Sequence, residues 1–374
     1  MPSSELDELR SVVRDYLTAA SPSETVRKLM VTDTGYDEAS WRQMAVELGL
    51  QGIGVAEQWG GAGAGVAELA VVFEEMGRAL LCSPLCSPFF ATVALATQAI
   101  LASGDDAAAE EFVPGFVDGS ATATLVLNGR LDAWDPAAVT LRADRSGASY
   151  RIHGEAGLVI DGHTADVILV AANTESGISL LATRAGAAGV HRTPLAGLDR
   201  TRKVARLEFR GAQAALIGAE GAAGDFLART SDLAIVALAA EQVGAAQRCL
   251  DTSVDYAKHR IQFGRPIGSF QAIKHRCADM LVQVEGARSA VSHAAEVAHT
   301  DDLPTTASVA KLVCSEAFLQ AALDNMRIHG GIGFTWEHDA HLFVRRAKAS
   351  QLIFGDPDYH AQRLATLVSA TKGP

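Results

Sequence analysis

Arg260, Phe263, Gln271, Gly330 and Gly331 are the residues whose types and spacing could do chemistry. Arg260 stands at the end of a long apolar-striped run, three residues before Phe263-Gly264. A guanidinium fixed there can meet a pyrophosphate through two parallel N–H donors. The plainer role is to offset the negative end of a helix macrodipole. Gln262 precedes a turn, Phe263-Gly264-Arg265-Pro266-Ile267-Gly268, and a second helix is expected to start near Ser269, a suitable N-cap, with Gln271 in its first turn. Gly330 and Gly331 follow another helical run and let backbone come close to a phosphate or ribose. They also suit a helix C-cap.

Other chemistries find little support. There is no Gly-x-Ser-x-Gly elbow, no Walker loop and no His-Glu-x-x-His. The five cysteines (82, 86, 249, 277 and 314) include no Cys-x-x-Cys pair. Cys82 and Cys86 lack the second pair that a metal site needs, so reduced structural thiols are expected and no metal. His275 and His329 are expected to pack or bond backbone. Glu241 breaks an Ala-rich helical face and is either a polar contact between helices or part of a site.

The elements that position these residues follow from periodicity. Leu6, Leu9, Val13 and Leu17, then Val66, Leu69, Val72, Phe73 and Met76, recur at helical spacing. Between them, Gly52 to Gly63 looks like a dinucleotide loop, but helical patterns flank it where a βαβ unit is required. From about residue 119 to 222, short β-rich runs alternate with Gly, Asp and Asn. Strands are expected at Ala121–Leu127, Ala138–Arg142, Asp166–Ala172, Ile178–Ala182 and Val204–Phe209, forming an antiparallel sheet or small barrel. Beyond Phe226, Ile235, Ala239, Val243, Ala246, Leu250, Val254 and Ala257 make one apolar stripe. Further helices are expected at Ala272–His299 and Pro304–His329, the proline in the first turn.

At 374 residues the chain is long for one core. Its domains are expected at 1–118 (helical), 119–222 (β) and 223–374 (helical). Hydrophobic residues at 48% and charged residues at 20% are ordinary for a globular protein. A net charge of −12 offers no electrostatic footprint for nucleic acid. No window reaches ~18 uninterrupted apolar residues, so no membrane span is expected. The first residues lack the apolar core of a signal peptide, and a cytoplasmic protein is expected.

Two blocks now combine. Tyr256 to Met280, and Ile328-His329-Gly330-Gly331-Ile332-Gly333-Phe334-Thr335-Trp336-Glu337, lie in the order and at the distance found in acyl-CoA dehydrogenases. The chain resembles that family of flavoenzymes, which desaturate acyl thioesters between Cα and Cβ, over nearly its whole length. The resemblance implies an α+β fold with an N-terminal helical domain, a central β-barrel-like domain and a C-terminal four-helix bundle. It implies a loop for chain reversal at Gly52–Gly63, and FAD as cofactor. Arg260 would contact the FAD pyrophosphate across a subunit interface, Phe263 would pack on the cofactor, and Gln271 would serve the adenine side. Gln262, Gly330 and Gly331 complete the cofactor set with Arg327, which replaces the usual Gln and can still meet the diphosphate. Glu337 reads as an ion-pair partner for the Arg345–Arg346 region.

The chain also departs from the family. The usual Thr-Glu-Pro-x-x-Gly-Ser loop is Leu127-Asn128-Gly129-Arg130-Leu131-Asp132 here, and the Trp-Ile-Thr that covers the isoalloxazine is Leu158-Val159-Ile160. A desolvated carboxylate normally takes the Cα proton. Phe354 stands where the commonest family base is, and can offer only its backbone N–H to a thioester carbonyl. Ala234 stands at the alternative base position. Asp232 lies roughly 200° round the helix from Ala234, and Glu241 is on nearly the same face but about 10.5 Å along the axis.

The resemblance therefore implies a subunit of a heteromeric acyl-CoA dehydrogenase whose homologous partner supplies the base. An electron-transfer flavoprotein-like acceptor would reoxidise the cofactor. The alternatives are a homomeric flavoenzyme using Glu241, or a non-catalytic member of the fold that has lost flavin.

Overall fold

The computed structural model describes residues 3–79, 83–129 and 134–371. Helices α1 (Ser3–Ala20), α2 (Ser23–Leu29), α3 (Glu38–Leu48), α4 (Val66–Arg78), α5 (Ser83–Phe89), α6 (Gln98–Ser103) and α7 (Asp106–Val117) come first. Strands β1 (Ala123–Val126), β2 (Arg142–Ser146), β3 (Ser149–Ile160), β4 (Val167–Thr174), β5 (Gly177–Arg184), β6 (Val190–Leu195) and β7 (Val204–Ile217) follow. Then come α8 (Ala223–His259), a hairpin of β8 (Ile261–Gln262) and β9 (Arg265–Pro266), α9 (Gln271–Glu296), α10 (Leu303–His329), α11 (Ala340–Leu352) and α12 (Pro357–Thr371). Two compact units result: Val26–Leu69 with Ser83–Ala234, and Met1–Thr25 with Ala70–Cys82 and Ile235–Pro374.

The first of these units holds the barrel. β4 pairs antiparallel with β5, β5 with β7, β7 with β3 and β3 with β2. A parallel bridge from Arg142 to Asn173 returns β2 to β4 and closes the ring. β1 also runs parallel to β4, from Ala123 opposite Val167 to Val126 opposite Val170, so of the antiparallel sheet or small barrel expected, the barrel forms, with mixed pairing. Ile152, Ala156, Val170, Leu181, Leu207 and Phe209 fill the core. β4 is buried on both faces from Val167 to Ala172, which explains its unbroken apolar run.

Two barrel strands escape the sequence reading, β3 and β6, and one is misplaced. Ala138 ends a 3-10 turn capped by the Asp135 carboxylate, so β2 begins only at Arg142. The Gly52–Gly63 loop reverses the chain at close quarters: a Cβ on Gly61 would lie 2.0 Å from the Val55 carbonyl oxygen. Lys203 holds the neighbouring loop by donating to the carbonyls of Met30 (3.0 Å) and Thr32 (2.6 Å).

In the second unit the α8 stripe is buried as its spacing requires, from Ile235 to Ala257, with Val254 half-buried. α4 and α8 cross at two glycines. A Cβ on Gly77 would sit 1.9 Å from the Glu241 carbonyl oxygen, and one on Gly244 would sit 1.7 Å from that of Glu74. The backbones touch, and no larger residue fits either position without parting the helices. Beside them, Glu75 is buried and receives Arg14 at 2.7 Å and Arg10 at 3.3 Å. The expected four-helix bundle gains a fifth helix, α12. Two stretches are long and apolar enough to cross a membrane by composition, Cys86–Ser103 and Ala223–His259, but 78% and 83% of their 18-residue apolar windows is buried inside the protein, as in core helices.

Candidate functional site

Arg260 is the hinge between α8 and the short hairpin. Its N–H donates to the Tyr256 carbonyl and its own carbonyl accepts from Ile267, both at 2.8 Å. The backbone is thus fixed on both sides while the residue is exposed. In the hairpin, Gln262 pairs with Arg265, and the central residues Phe263 and Gly264 have φ of 53° and 74°. Two left-handed residues define a type I′ turn, normally Asn-Gly. Phe263 bears a conformational penalty of roughly 1–2 kcal/mol there, yet its ring is 90% exposed. Its ring contact within the chain is edge-on to Phe270, 6.1 Å away, which also carries the Arg265 guanidinium at 4.2 Å. Gln262 and Gln271 are exposed as well. Ser269 is not the N-cap: its hydroxyl donates back to the Pro266 carbonyl, and Phe270 takes the cap position.

Gly330 ends α10 with φ 65° and ψ −142°, a region open only to glycine. Gly331 is different. It has no positive φ, and a Cβ on it would meet nothing within 4 Å, so the chain itself gives no reason for a glycine. The turn is anchored from behind. His329 Nδ1 bonds the Asn325 carbonyl (2.8 Å), and its ring stacks on Tyr256 at 4.3 Å. The Asn325 side-chain oxygen accepts from Thr252 (3.2 Å) and Ser253 (3.0 Å). Burial lowers the His329 pKa, which favours the neutral ring. Arg327 is half exposed and paired with Asp324 at 3.0 Å, a carboxylate that also receives Arg276 at 3.2 Å. An exposed guanidinium, an outward aromatic ring and an open Gly-Gly edge are what a dinucleotide diphosphate needs, and FAD fits this half of the candidate set.

The base positions hold no carboxylate. Ala234 is fully buried. Phe354 is 2% exposed and left-handed, with φ 58°. Glu241 is held by Arg346 at 2.9 Å, both side chains buried. This is the polar interhelix contact of the two roles open to it. Glu337 is exposed, Arg346 pairs with Glu241, and Arg345 lies over the Trp336 ring at 5.3 Å. Asp232 is buried.

In the barrel unit, Leu158 is 43% exposed and Ile160 is buried, so neither returns the aromatic cover or the hydroxyl of the family pattern. Arg130, Leu131, Asp132 and Cys82 lie outside the described residues. The turn after Ile160 carries a residue that sequence reasoning missed. Asp161 has φ 51° and is buried, and burial pushes its carboxyl up to about 6 against the opposing effects of the Ser87 hydroxyl and Arg202. Among the described residues, no group of three or more His, Cys, Asp or Glu could hold a metal ion.

Comparison with known proteins agrees with this geometry. Residues 3–120 match the family description "Acyl-CoA dehydrogenase, N-terminal domain" and residues 232–368 match "Acyl-CoA dehydrogenase, C-terminal domain". The chain is 37% identical over 367 residues to the acyl-CoA dehydrogenase IpdE2 of Mycobacterium tuberculosis, covering 98% of both chains. It is 34% identical over 379 residues to the acyl-CoA dehydrogenase FadE34 of the same organism, covering 98% of this chain and 48% of that protein. Among solved structures, a variant of the Tcur3481-Tcur3483 steroid ACAD superposes with a TM-score of 0.88 at 30% identity, covering 100% of both chains. The ChsE4-ChsE5 complex from Mycobacterium tuberculosis superposes with a TM-score of 0.88 at 27% identity, covering 99% of this chain and 98% of that one. With an exposed Arg-Phe-Gly hairpin, an open Gly-Gly turn and this similarity along its length, the chain belongs to the acyl-CoA dehydrogenase family of FAD-dependent flavoproteins.

Proposed function

We propose that the chain is the base-lacking subunit of a heteromeric FAD-dependent acyl-CoA dehydrogenase. The observation that carries this is Phe354 at the usual base position, buried and apolar, in a chain whose Arg260–Phe263 hairpin is fully presented. Such a chain is equipped to hold cofactor and not to take a proton. Arg260 would meet the diphosphate, Phe263 would cover part of the cofactor, Gln271 would serve its adenine side beside Gln262, and Gly330 and Gly331 would admit it to the α10 terminus, with Arg327 adding charge. FAD supplies the acceptor for the hydride that leaves Cβ. A carboxylate of the homologous partner subunit takes the Cα proton, and an electron-transfer flavoprotein-like acceptor removes the electrons.

Two complexes among the structural relatives support an unlike pair, and the steroid ACAD among them supports a bulky acyl-CoA as substrate. In this reading the enzyme works in the cytoplasm, and 1–118, 119–222 and 223–374 remain its domains. The homomeric alternative needs Glu241 as base. Its bond to Arg346 argues against that, because a carboxylate neutralised by a buried guanidinium is a poor proton acceptor.

The test is an absorption spectrum and a turnover assay on the purified chain, alone and co-expressed with a homologous subunit from an adjacent gene. The expected result is weak flavin and little or no dehydrogenation alone, with both restored in the pair. Robust turnover by the isolated chain would sink the heteromer.

A further inference from the structure

Lys311 is fully buried on α10, and its three ammonium N–H donors are shared among four hydrogen-bond contacts. One goes to the Ser315 hydroxyl (3.1 Å); the others go to the main-chain carbonyls of Ser350 (3.0 Å), Gln351 (3.0 Å) and Gly355 (3.1 Å). A buried ammonium is tolerated only when its donors are satisfied, and here three carbonyls of one short segment satisfy it. That segment is the end of α11 and the turn holding Phe354. From the other side, His360 on α12 is fully buried and its Nε2 bonds the Phe354 carbonyl at 2.9 Å. Gly355 has φ 96°, and a Cβ on it would lie 2.4 Å from Tyr359 Cδ1.

The left-handed residue closing a helix is usually glycine. Phe354 is left-handed because the carbonyls before, at and after it are held by side chains of two other helices. These bonds hold the backbone of residue 354 through its carbonyls and not through its side chain.

We propose that Lys311 and His360 are positioning residues that fix residue 354 in a base-presenting turn, and that this turn has kept its capacity to seat a carboxylate although the chain supplies Phe354. The inference rests on the reading of Phe354 as the vacated base position.

The test installs the carboxylate and then loosens the turn. Phe354→Glu and Phe354→Gln are made in the full chain with FAD supplied in excess, each with and without Lys311→Met. The probe is 3-thiaoctanoyl-CoA, in which sulfur replaces Cβ, so no hydride can leave. In the Phe354→Glu variant the Cα–H bond breaks, its electron pair passes into the thioester enolate, and the carboxylate becomes a carboxylic acid. Exchange of that acid proton with D₂O and its return place deuterium on Cα, with no oxidant consumed.

The expected result is probe binding by calorimetry and exchange about a hundredfold faster with Phe354→Glu than with wild type or Phe354→Gln. Adding Lys311→Met should lower that rate about tenfold or more, with unchanged circular dichroism and faster amide exchange at residues 350–356. If Lys311→Met does not fold, His360→Leu, which removes the donor to Phe354, takes its place with the same expected outcome. Failure to bind the probe, equal exchange by the Glu and Gln variants, or exchange indifferent to both positioning residues overturns the proposal. Wild-type turnover tests the heteromer and the variant comparison tests the turn, so either can fail alone.

Discussion

Glu241 on α8 and Arg346 on α11 form an ion pair of 2.9 Å with 3% and 2% of their side chains exposed. The pair lies next to the point where Gly77 of α4 touches the Glu241 backbone, so charge and close helix packing share one locus. A carboxylate with this neighbour is explained by structure alone.

Breaking one side of the pair should therefore cost stability. Glu241→Gln leaves the Arg346 guanidinium buried without its counter-charge, a loss of about 3 kcal/mol or more. Replacing both, as in Glu241→Leu with Arg346→Met, should recover most of that loss, because a buried pair is worth little over packed apolar groups. Urea denaturation of the three proteins checks this. Equal stability of wild type and Glu241→Gln would remove the pair from the core energetics.

The hairpin prediction concerns cofactor. Arg260→Ala should weaken FAD binding to the assembled protein by about 1.5–3 kcal/mol, the worth of a hydrogen bond to a charged group. The fold should be unaffected, since the side chain is exposed. Flavin titration at constant circular dichroism reads the effect, and unchanged affinity would take Arg260 out of the site.

The layout was legible because periodicity changes cleanly from helical to alternating and back. β6 gave no signal because its residues are nearly all exposed, and an unburied strand has no reason to alternate. β3 was hidden by His153-Gly154-Glu155, where a register shift interrupts its pairing with β7. In the C-terminal half, the residues around Phe263 and Gly330 announced themselves by type, since an Arg-x-x-Phe-Gly run and paired glycines are uncommon. Lys311 and His360 did not. A lysine within Ala310-Lys311-Leu312-Val313 reads as a solvated interruption, and its carbonyl partners lie 39 to 44 residues further along. Asp161 was equally silent, because only burial raises its pKa.

Asp161 gives a pH-dependent prediction. Its carboxyl rises from 3.8 to about 6, so the native state prefers the protonated form. That preference stabilises fully below pH 3.8 and is lost as pH rises through 6. At neutral pH the buried carboxylate costs about 3 kcal/mol relative to the unfolded chain. Asp161→Asn keeps the shape, accepts the left-handed conformation and removes the charge. It should raise Tm at pH 7.5 and leave it nearly unchanged at pH 4. A gain of equal size at both values would trace the effect to packing.

His360 titrates in the opposite sense. Burial is the largest cause of the fall in its pKa from 6.5 to about 4, only partly offset by the bond to Phe354, so the native state prefers the neutral ring. Stability from this group is complete above pH 6.5 and declines as pH falls from 6.5 toward 4, where the unfolded chain binds a proton that the native chain refuses. The loss across that window is about 3 kcal/mol. His360→Gln retains an N–H donor for the Phe354 carbonyl but cannot titrate. It should hold its stability between pH 6.5 and 4.5 better than wild type, with the two proteins similar at pH 7.5. Chemical denaturation at four pH values measures the slope. If the variant and wild type lose stability in parallel, the buried imidazole is not the acid-sensitive group.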